Sequence, residues 1–373
     1  MRIALNAHLL SGAAGYRSAG IHRYIDQLLT HLPAAVPPDW RLTAFAGAQA
    51  GRDYAGLEMR RSRWNTESAA RRILWEQALQ PWELRGFDAY HALAFAGPLL
   101  GAPPLVVTVY DLSFIHEPQR LPAGRRLYLR WLTALTCRRA RRVVAISQST
   151  AQDVSATFSI PADRIAVAAP GVDLAQFQPL PAADIEAFRQ AKTLPPRFWL
   201  FMGTLEPRKN LVMLLEAYAA LPASDRLPLV LAGGKGWDFA PIFAAVERLG
   251  LGDAVRFPGF VPFDELALWY NSAEVFIYPS VFEGFGLPVL EAMACGVPVI
   301  VSDASSLPEI TGDTGLCLPP RSAEAWTNAL RRAASDDAWR RSAAEAGLQR
   351  ARQFTWAETA RQTALAYQRA FHG

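Results

Sequence analysis

Val275-Phe-Ile-Tyr-Pro-Ser-Val-Phe-Glu-Gly-Phe-Gly-Leu-Pro-Val-Leu-Glu291 is the stretch on which the fold turns. Val275 to Tyr278 read as a short strand buried on both faces, since no charged residue interrupts them. Pro279 ends the run, and the loop that follows carries Glu283, Gly284 and Gly286. Pro288 is well placed to open a helix, where its fixed φ is favourable and its missing N–H costs nothing. A strand feeding a glycine-bearing loop and then a helix is the repeating unit of parallel α/β architecture.

The same alternation extends in both directions. In the second half, strands are expected at Phe198–Met202, Leu229–Ala232, Val255–Pro258, Pro298–Val301 and Gly315–Leu318. Helical patterns separate them, at Leu211–Leu221, Phe239–Leu249, Asp264–Asn271, Pro288–Ala294, Ala323–Ser335 and Trp339–Gln353. In the first half, strands are expected at Ile3–Asn6, Leu42–Ala46, Ala89–His91, Leu105–Val109 and Val143–Ile146. Helices are expected there at Ile21–Leu32, Ile73–Gln80, Arg125–Arg139 and Thr150–Phe158. Between the halves, Ala169-Pro-Gly-Val-Asp173 and the prolines at 179, 181, 195 and 196 read as a connection. The expectation is an N-terminal domain over 1–175, a second domain over 176–355, and a last helix over 356–373 that crosses back to the first. Two doubly wound sheets of this kind would face a central cleft, with chemistry on the loops beyond the strands' carboxyl ends.

Composition narrows the function. The chain has 373 residues, 51% hydrophobic and 19% charged, which is a globular profile with room for two cores. A formal charge of +4 is too small to argue for nucleic acid. Lysine occurs only at 192, 209 and 235, so the other positive charge is arginine. Seven arginines fall between 125 and 142, interleaved with Leu127, Tyr128, Leu129, Trp131, Leu132 and Leu135. The commoner arrangement for such a helix is an apolar face on the core and a solvated arginine face. The alternative is a helix resting on an anionic membrane. Cys137, Cys295 and Cys317 have no metal-ligand spacing and read as buried free thiols. No apolar run approaches the ~18 residues of a membrane span. The start Met-Arg-Ile-Ala-Leu-Asn-Ala-His reads as a strand and not a signal peptide, and the expected location is the cytoplasm, at the inner face of the membrane if the arginine face is in use.

Two segments carry the chemistry. In Phe198-Trp-Leu-Phe-Met-Gly-Thr-Leu-Glu-Pro-Arg-Lys-Asn210, a strand ends at Gly203 and two cations, Arg208 and Lys209, precede a helix start. Free N–H groups and two positive charges there suit a diphosphate. The plain alternative is a solvated Arg-Lys pair, though cations at a helix start oppose its dipole and want a compensating anion. In the 275–291 segment, Glu283 on the loop and Glu291 in the first helical turn would face one ligand from two sides, and carboxylates accept paired hydroxyls well. The glycines admit a ligand to the backbone, where the amides of Gly286 and Leu287 point out of the helix start. Glu291 also reads more simply as an acid favoured near a helix N-terminus.

Glu283-Gly-Phe-Gly-Leu-Pro-Val-Leu-Glu291 resembles the E-x7-E motif of the family 4 retaining glycosyltransferases, which have the two-domain GT-B fold. The resemblance extends through Gly203–Asn210, Leu231-Ala-Gly-Gly-Lys-Gly-Trp237, Phe257-Pro-Gly-Phe-Val-Pro262 and Glu291-Ala-Met-Ala-Cys-Gly-Val-Pro298. It implies roles by position. Arg208 and Lys209, with Gly203 before them, would bind the donor diphosphate. Glu283 would hold sugar hydroxyls and Glu291 the ribose. The backbone of Gly284, Phe285, Gly286 and Leu287 would contact sugar and phosphate. The loop of Gly233 and Lys235 and the backbone near Val261 would border the base.

The N-terminal half matches more loosely. Ser18-Ala-Gly-Ile-His-Arg-Tyr24 resembles the family's glycine-rich loop, with Gly20 admitting diphosphate and acceptor. Ser147, in Ile146-Ser-Gln-Ser-Thr150, reads either as a substrate contact or as a helix N-cap. The departure is Tyr110-Asp111, where many relatives carry His-Asp. A tyrosine keeps the backbone carbonyl attributed to that position and loses the imidazole, while Asp111 stays available for a hydroxyl. His8 and His116 read as packed polar residues sooner than catalysts.

The resemblance implies transfer of a sugar, mannose from GDP-mannose as the first expectation, from a nucleotide diphosphate sugar to a hydroxyl acceptor. Mannosyl- and rhamnosyl-type bacterial members are the nearest in look. The acceptor would be a polysaccharide or lipid-linked glycan precursor. No metal or other cofactor is expected, since the sugar nucleotide is a co-substrate and the cations take the diphosphate. Two other classes compete. A catalytically silent sugar-nucleotide binder is motivated by Tyr110. A nicotinamide oxidoreductase would use two Rossmann-like sheets, but the loop Gly12–Gly20 lacks the Gly-x-Gly-x-x-Gly spacing.

Overall fold

The computed structural model of the chain describes residues 1–10, 20–48, 52–62 and 69–371. It divides into two compact units, Met1–Gly171 with Thr355–Gly373, and Val172–Phe354.

Unit 1 holds a seven-stranded sheet: β1 (Arg2–Asn6), β2 (Arg41–Ala46), β3 (Glu58–Arg61), β4 (Ala89–Ala92), β5 (Leu105–Val109), β6 (Arg142–Ala145) and β7 (Ile165–Val167). The order is β3-β2-β1-β4-β5-β6-β7, and every pairing is parallel. Ile3 lies opposite Leu42 on one side and Ala89 on the other, so the central strand is buried within the sheet. The helix Trp356–Phe371 packs on this unit. Trp356 meets the ring of Tyr24 at 5.8 Å, and Thr359 donates to the carbonyl of Ala169 at 2.6 Å. Inside, His91 bonds Tyr367 Oη at 2.6 Å and Thr108 Oγ1 at 2.8 Å. Burial lowers its pKa to about 3, so it is a neutral histidine tying that helix to β4 and β5.

Unit 2 holds a six-stranded parallel sheet: β8 (Trp199–Met202), β9 (Leu229–Ala232), β10 (Val255–Gly259), β11 (Val275–Tyr278), β12 (Val299–Ser302) and β13 (Leu316–Leu318), in the order β10-β9-β8-β11-β12-β13. Stacked rings of Phe201, Tyr278 and Phe276, 5.7 and 5.8 Å apart, fill one layer between β8 and β11. Two doubly wound sheets are therefore present. Cys137, Cys295 and Cys317 are all free thiols, the first two buried. Among the described residues no helix is long and apolar enough to cross a membrane.

Three features depart from the sequence reading. The proline-dense stretch after 173 contains a helix, Ala182–Ala191, which Pro181 introduces instead of preventing. Two sheet-edge strands, β3 and β7, were not expected: β3 is Glu-Met-Arg-Arg, charged as exposed edges often are, and β7, Ile-Ala-Val, is apolar but only three residues long. The expected helix Ile73–Gln80 is broken into an α-helix Ala69–Leu74, a π-turn Trp75–Leu79 and a short helix Gln80–Glu83. Pro81 accounts for the break, since its ring crowds the carbonyl four residues back and widens the turn.

Candidate functional site

In unit 2 the chain lays down β8, β9 and β10 towards one edge and then returns to set β11 against the other side of β8. The loops after β8 and β11 consequently part over the carboxyl edge of the sheet, the place where such folds bind ligands. Arg208 and Lys209 follow β8, and Glu283 follows β11. The topology thus brings together residues about 75 positions apart in the chain.

Arg208 and Lys209 lie in a 3-10 turn, Pro207–Lys209, and Asn210 in the left-handed region (φ 57°) caps the helix Leu211–Ala219. Both cations turn to Glu283. Arg208 Nη1 donates to Oε2 at 2.7 Å, and Lys209 Nζ donates to Oε1 at 2.6 Å. Lys209 also bonds Tyr278 Oη at 2.5 Å, while Arg208 Nη1 reaches the carbonyl of Phe282 at 2.8 Å. Behind them Glu206, 2% exposed, takes Arg208 Nε at 3.0 Å and Nη2 at 2.9 Å on one carboxylate oxygen. Two cations and two carboxylates therefore balance in a nearly dry pocket of side chains. The compensating anion that the helix start required is found, and it belongs to the protein.

Burial raises the pKa of Glu283, but Arg208 and then Lys209 outweigh it and hold the carboxyl at about 2. Burial pushes Lys209 down to about 8, against the pull of Glu283. Glu283 and Lys209 are therefore charged at neutral pH, in a medium where charge interactions are strong. An anion with several oxygens that reached the cluster would compete with Glu283 for the two cations.

The surrounding backbone is fixed by hydroxyls. Ser305 Oγ bonds both the amide and the carbonyl of Glu283 at 3.0 Å. Ser306 Oγ donates its one hydrogen chiefly to the carbonyl of Phe285 at 2.6 Å, with that of Glu283 at 3.1 Å sharing it. Gly286, at φ 121°, is the N-cap of the helix Leu287–Ala294, and a Cβ there would stand 2.7 Å from Leu307 Cδ2. Gly284 lies on the same loop, with Leu287 the first helical residue and Phe285 buried beside Phe354. Glu291 lies in the second turn of that helix, not the first, because the helix already begins at Leu287. It is 3% exposed and accepts from Tyr270 Oη at 2.8 Å.

The loop after β9 lies against the one after β8. A Cβ on Gly233 would stand 1.9 Å from the carbonyl oxygen of Gly203, so only glycine fits this crossing. Lys235 sits over the rings of Phe239 and Phe243, at 5.0 and 5.1 Å. Val261 is buried just beyond β10, next to an exposed Phe260.

In unit 1, Gly20 begins the helix Ile21–Ala35 at φ 44°, while the rest of the glycine-bearing loop, 11–19, lies outside the described residues. Tyr110 is buried at the end of β5, donates to the carbonyl of Leu93 at 2.7 Å and meets the ring of Tyr24 at 5.3 Å. Its own carbonyl accepts from Thr150 Oγ1 at 3.2 Å. Ser147 is the N-cap of the helix Gln148–Phe158, accepting from the amide of Thr150 at 3.0 Å and fully buried. Asp111 Oδ1 accepts from the amide of Ser113 at 2.8 Å. His116 bonds Asp153 at 2.8 Å, and burial lowers the pKa of His8 to about 3.

Glu206, Tyr278, Ser305 and Ser306 were not singled out by the sequence reading. Glu206 had a signal, being an acid two positions from cations that needed one. The serines had none, since their partners are 20 or more residues away.

Comparison with known proteins adds to this geometry. A family profile described as Glycosyl transferases group 1 matches residues 184–350, and one described as Glycosyltransferase Family 4 matches 18–176. The chain is 35% identical over 294 residues to O-antigen chain mannosyltransferase B of Escherichia coli, covering 77% of this chain and 76% of that one. Among solved structures, sucrose-phosphate synthase from Thermosynechococcus elongatus superposes with a TM-score of 0.79 at 24% identity, covering 100% of this chain and 99% of the other. HepE of Anabaena in complex with UDP and glucose superposes with a TM-score of 0.75 at 19% identity, over 98% and 99%.

Proposed function

The chain belongs to the family 4 glycosyltransferases and has their GT-B fold, and from that premise we propose that it transfers mannose from GDP-mannose to a hydroxyl of a polysaccharide or lipid-linked glycan precursor, with retention at the anomeric carbon and no metal ion. The observation that carries this reading is the Arg208–Lys209–Glu283 cluster at the β8–β11 switch point. A relative named as an O-antigen mannosyltransferase supports the sugar, and a structural neighbour holding UDP and glucose supports the diphosphate.

In this reading residues 176–355 bind the donor and residues 1–175 the acceptor. The donor diphosphate meets Arg208, Lys209 and the amides of Gly286 and Leu287, beside Gly203, Gly284 and Phe285. Glu283 keeps the cations in place and offers its remaining lone pairs to sugar hydroxyls. Glu291 takes the ribose, and Gly233, Lys235 and Val261 border the base. On the acceptor side stand Gly20, Tyr110, Asp111 and Ser147. The bond from the anomeric carbon to the diphosphate breaks, and the acceptor oxygen attacks on the face being vacated. The acceptor proton passes to the departing phosphate. Stabilising the charge that develops on the diphosphate is the main catalytic term, and the paired cations supply it. The enzyme works at the cytoplasmic face of a membrane.

A second reading, binding without transfer, draws on Tyr110, whose hydroxyl is committed to Leu93 and which supplies no imidazole. Incubation with GDP-mannose and a mannose-terminated acceptor separates the two. Transfer is expected, with Arg208→Ala and Glu283→Ala each lowering it by roughly two orders of magnitude or more in folded protein. Near-normal turnover in both variants contradicts the site. Donor binding with neither transfer nor hydrolysis selects the second reading.

A further inference from the structure

Glu291 is buried on its helix, and a glutamate is a long side chain with several torsions to settle before its carboxylate can meet a ligand. Tyr270 supplies a fixed point for it. Tyr270 Oη donates to Glu291 Oε2 at 2.8 Å, from a ring that is fully buried. That ring stands edge-on to Phe276 of β11 at 5.4 Å and tilted against Phe177 at 6.1 Å. Phe177 is itself packed on Phe263, at 6.2 Å. A tyrosine ring has few torsions, and these neighbours restrain them. Burial, and then the charge of Glu291, raise the pKa of Tyr270 well above its usual value, so the group stays an O–H donor through the physiological range.

The place of Tyr270 in the chain adds a second observation. Val261, which borders the base in the proposed reading, is followed by a 3-10 turn, Phe263–Glu265, and then by the helix Leu266–Ser272 that carries Tyr270. One short segment therefore runs from the base to the acid assigned to the ribose. Glu291 arrives from a different element, the helix after β11. The Tyr270–Glu291 bond ties the two elements together across 21 residues. In the proposed reading, a nucleoside spans the same two elements.

We infer that Tyr270 is a positioning residue that presets the carboxylate of Glu291 for a vicinal diol, and so makes the site select ribonucleotides over nucleotides lacking the ribose hydroxyls. The inference rests on the reading that Glu291 takes the ribose, and adds the group that makes this contact selective. A carboxylate has about four lone-pair sites, so Tyr270 can occupy one while each oxygen still accepts a hydroxyl. Ribose hydroxyls give up water on entering the site, and gain from it only where the carboxylate oxygens already lie in their path. Without the tyrosine hydroxyl, Glu291 must be ordered by the ligand, which weakens diol binding. A nucleotide without the diol makes no such demand, so its affinity is independent of Tyr270.

Calorimetry on the full chain with GDP and with 2′,3′-dideoxy-GDP tests this. Wild type is expected to bind GDP roughly 100-fold tighter, as two hydrogen bonds to a charged group would provide. Tyr270→Phe keeps the ring and its packing, and should shrink that preference by roughly five- to tenfold while leaving the Kd of the dideoxy nucleotide unmoved. Glu291→Ala should remove most of the preference. A preference kept in Tyr270→Phe but lost in Glu291→Ala overturns the inference and leaves the ribose reading standing. Equal weakening of both nucleotides by Tyr270→Phe shows a purely structural role and overturns it too. A preference kept in Glu291→Ala, or absent from wild type, overturns the ribose reading and the inference with it.

Discussion

Lys209 and Glu283 stand on different loops, and Nζ of the lysine lies 2.6 Å from Oε1 of the glutamate. Each residue makes the other tenable in a buried position, since removing one partner of a buried pair typically costs about 3–5 kcal/mol. The cluster is thus held together by the same charges that, in the proposed reading, bind the donor. A diphosphate entering it exchanges one set of oxygens for another and meets donors already aimed.

If Lys209 binds the donor as proposed, its charge state sets the alkaline limit of the reaction. Burial lowers its pKa from 10.5 to about 8 despite Glu283, so the free protein loses this charge as pH rises through about 8. kcat/KM for the donor, which reports the free enzyme, should fall above that pH. kcat should hold to higher pH, because bound diphosphate restores the lysine's proton affinity. Steady-state rates across pH check this, and Lys209→Gln should remove that limb. A wild-type kcat/KM flat through the same range contradicts it.

Glu206 acts through Arg208. Its single oxygen collects two N–H groups of the guanidinium and fixes the plane in which Arg208 meets Glu283. Glu206→Gln keeps an acceptor and removes the charge, which weakens a charge-assisted bond by roughly 1 kcal/mol. kcat/KM for the donor should drop by about five- to tenfold with the acceptor KM unmoved. Equal kinetics would show that Arg208 needs no such support.

Glu76 tests the unit 1 core independently of the donor. Burial raises its pKa from 4.5 to about 7 against the opposing Asn6 hydrogen bond and the charge of Arg72. The folded-state pKa lies above the unfolded one. The protein therefore has this contribution in full below about 4.5 and loses it as pH rises to about 7. The difference is on the order of 3 kcal/mol. Glu76→Gln keeps an oxygen for Asn6 Nδ2, which lies 3.0 Å from Glu76 Oε1, and should flatten this decline. Urea unfolding at acid and neutral pH measures it, and parallel declines in both proteins contradict the assignment.

What the sequence disclosed follows from where each signal is local. β11 was readable because Val275–Tyr278 is buried on both faces and so is apolar throughout. β3 was not, because its charges serve an exposed edge, and the helix Ala182–Ala191 was hidden by prolines that flank it. Arg208, Lys209 and Glu283 were each visible as residue types in a suggestive context. Their direct pairing was not, because it depends on β8 and β11 being neighbours. Ser147 illustrates the limit: one position allowed a cap or a ligand contact, and only Thr150 across the turn shows the cap.

The central claim is that the β8–β11 site receives a nucleoside diphosphate. Thermal unfolding of the wild type and of Arg208→Ala, each with GDP, UDP, ADP and NADH in turn, tests it most directly. The account predicts that GDP raises the wild-type melting temperature, by a few degrees at about 100 times its Kd, and that Arg208→Ala loses most of that rise. A wild type indifferent to every nucleoside diphosphate, or an Arg208→Ala protein stabilised as much as wild type, would contradict it.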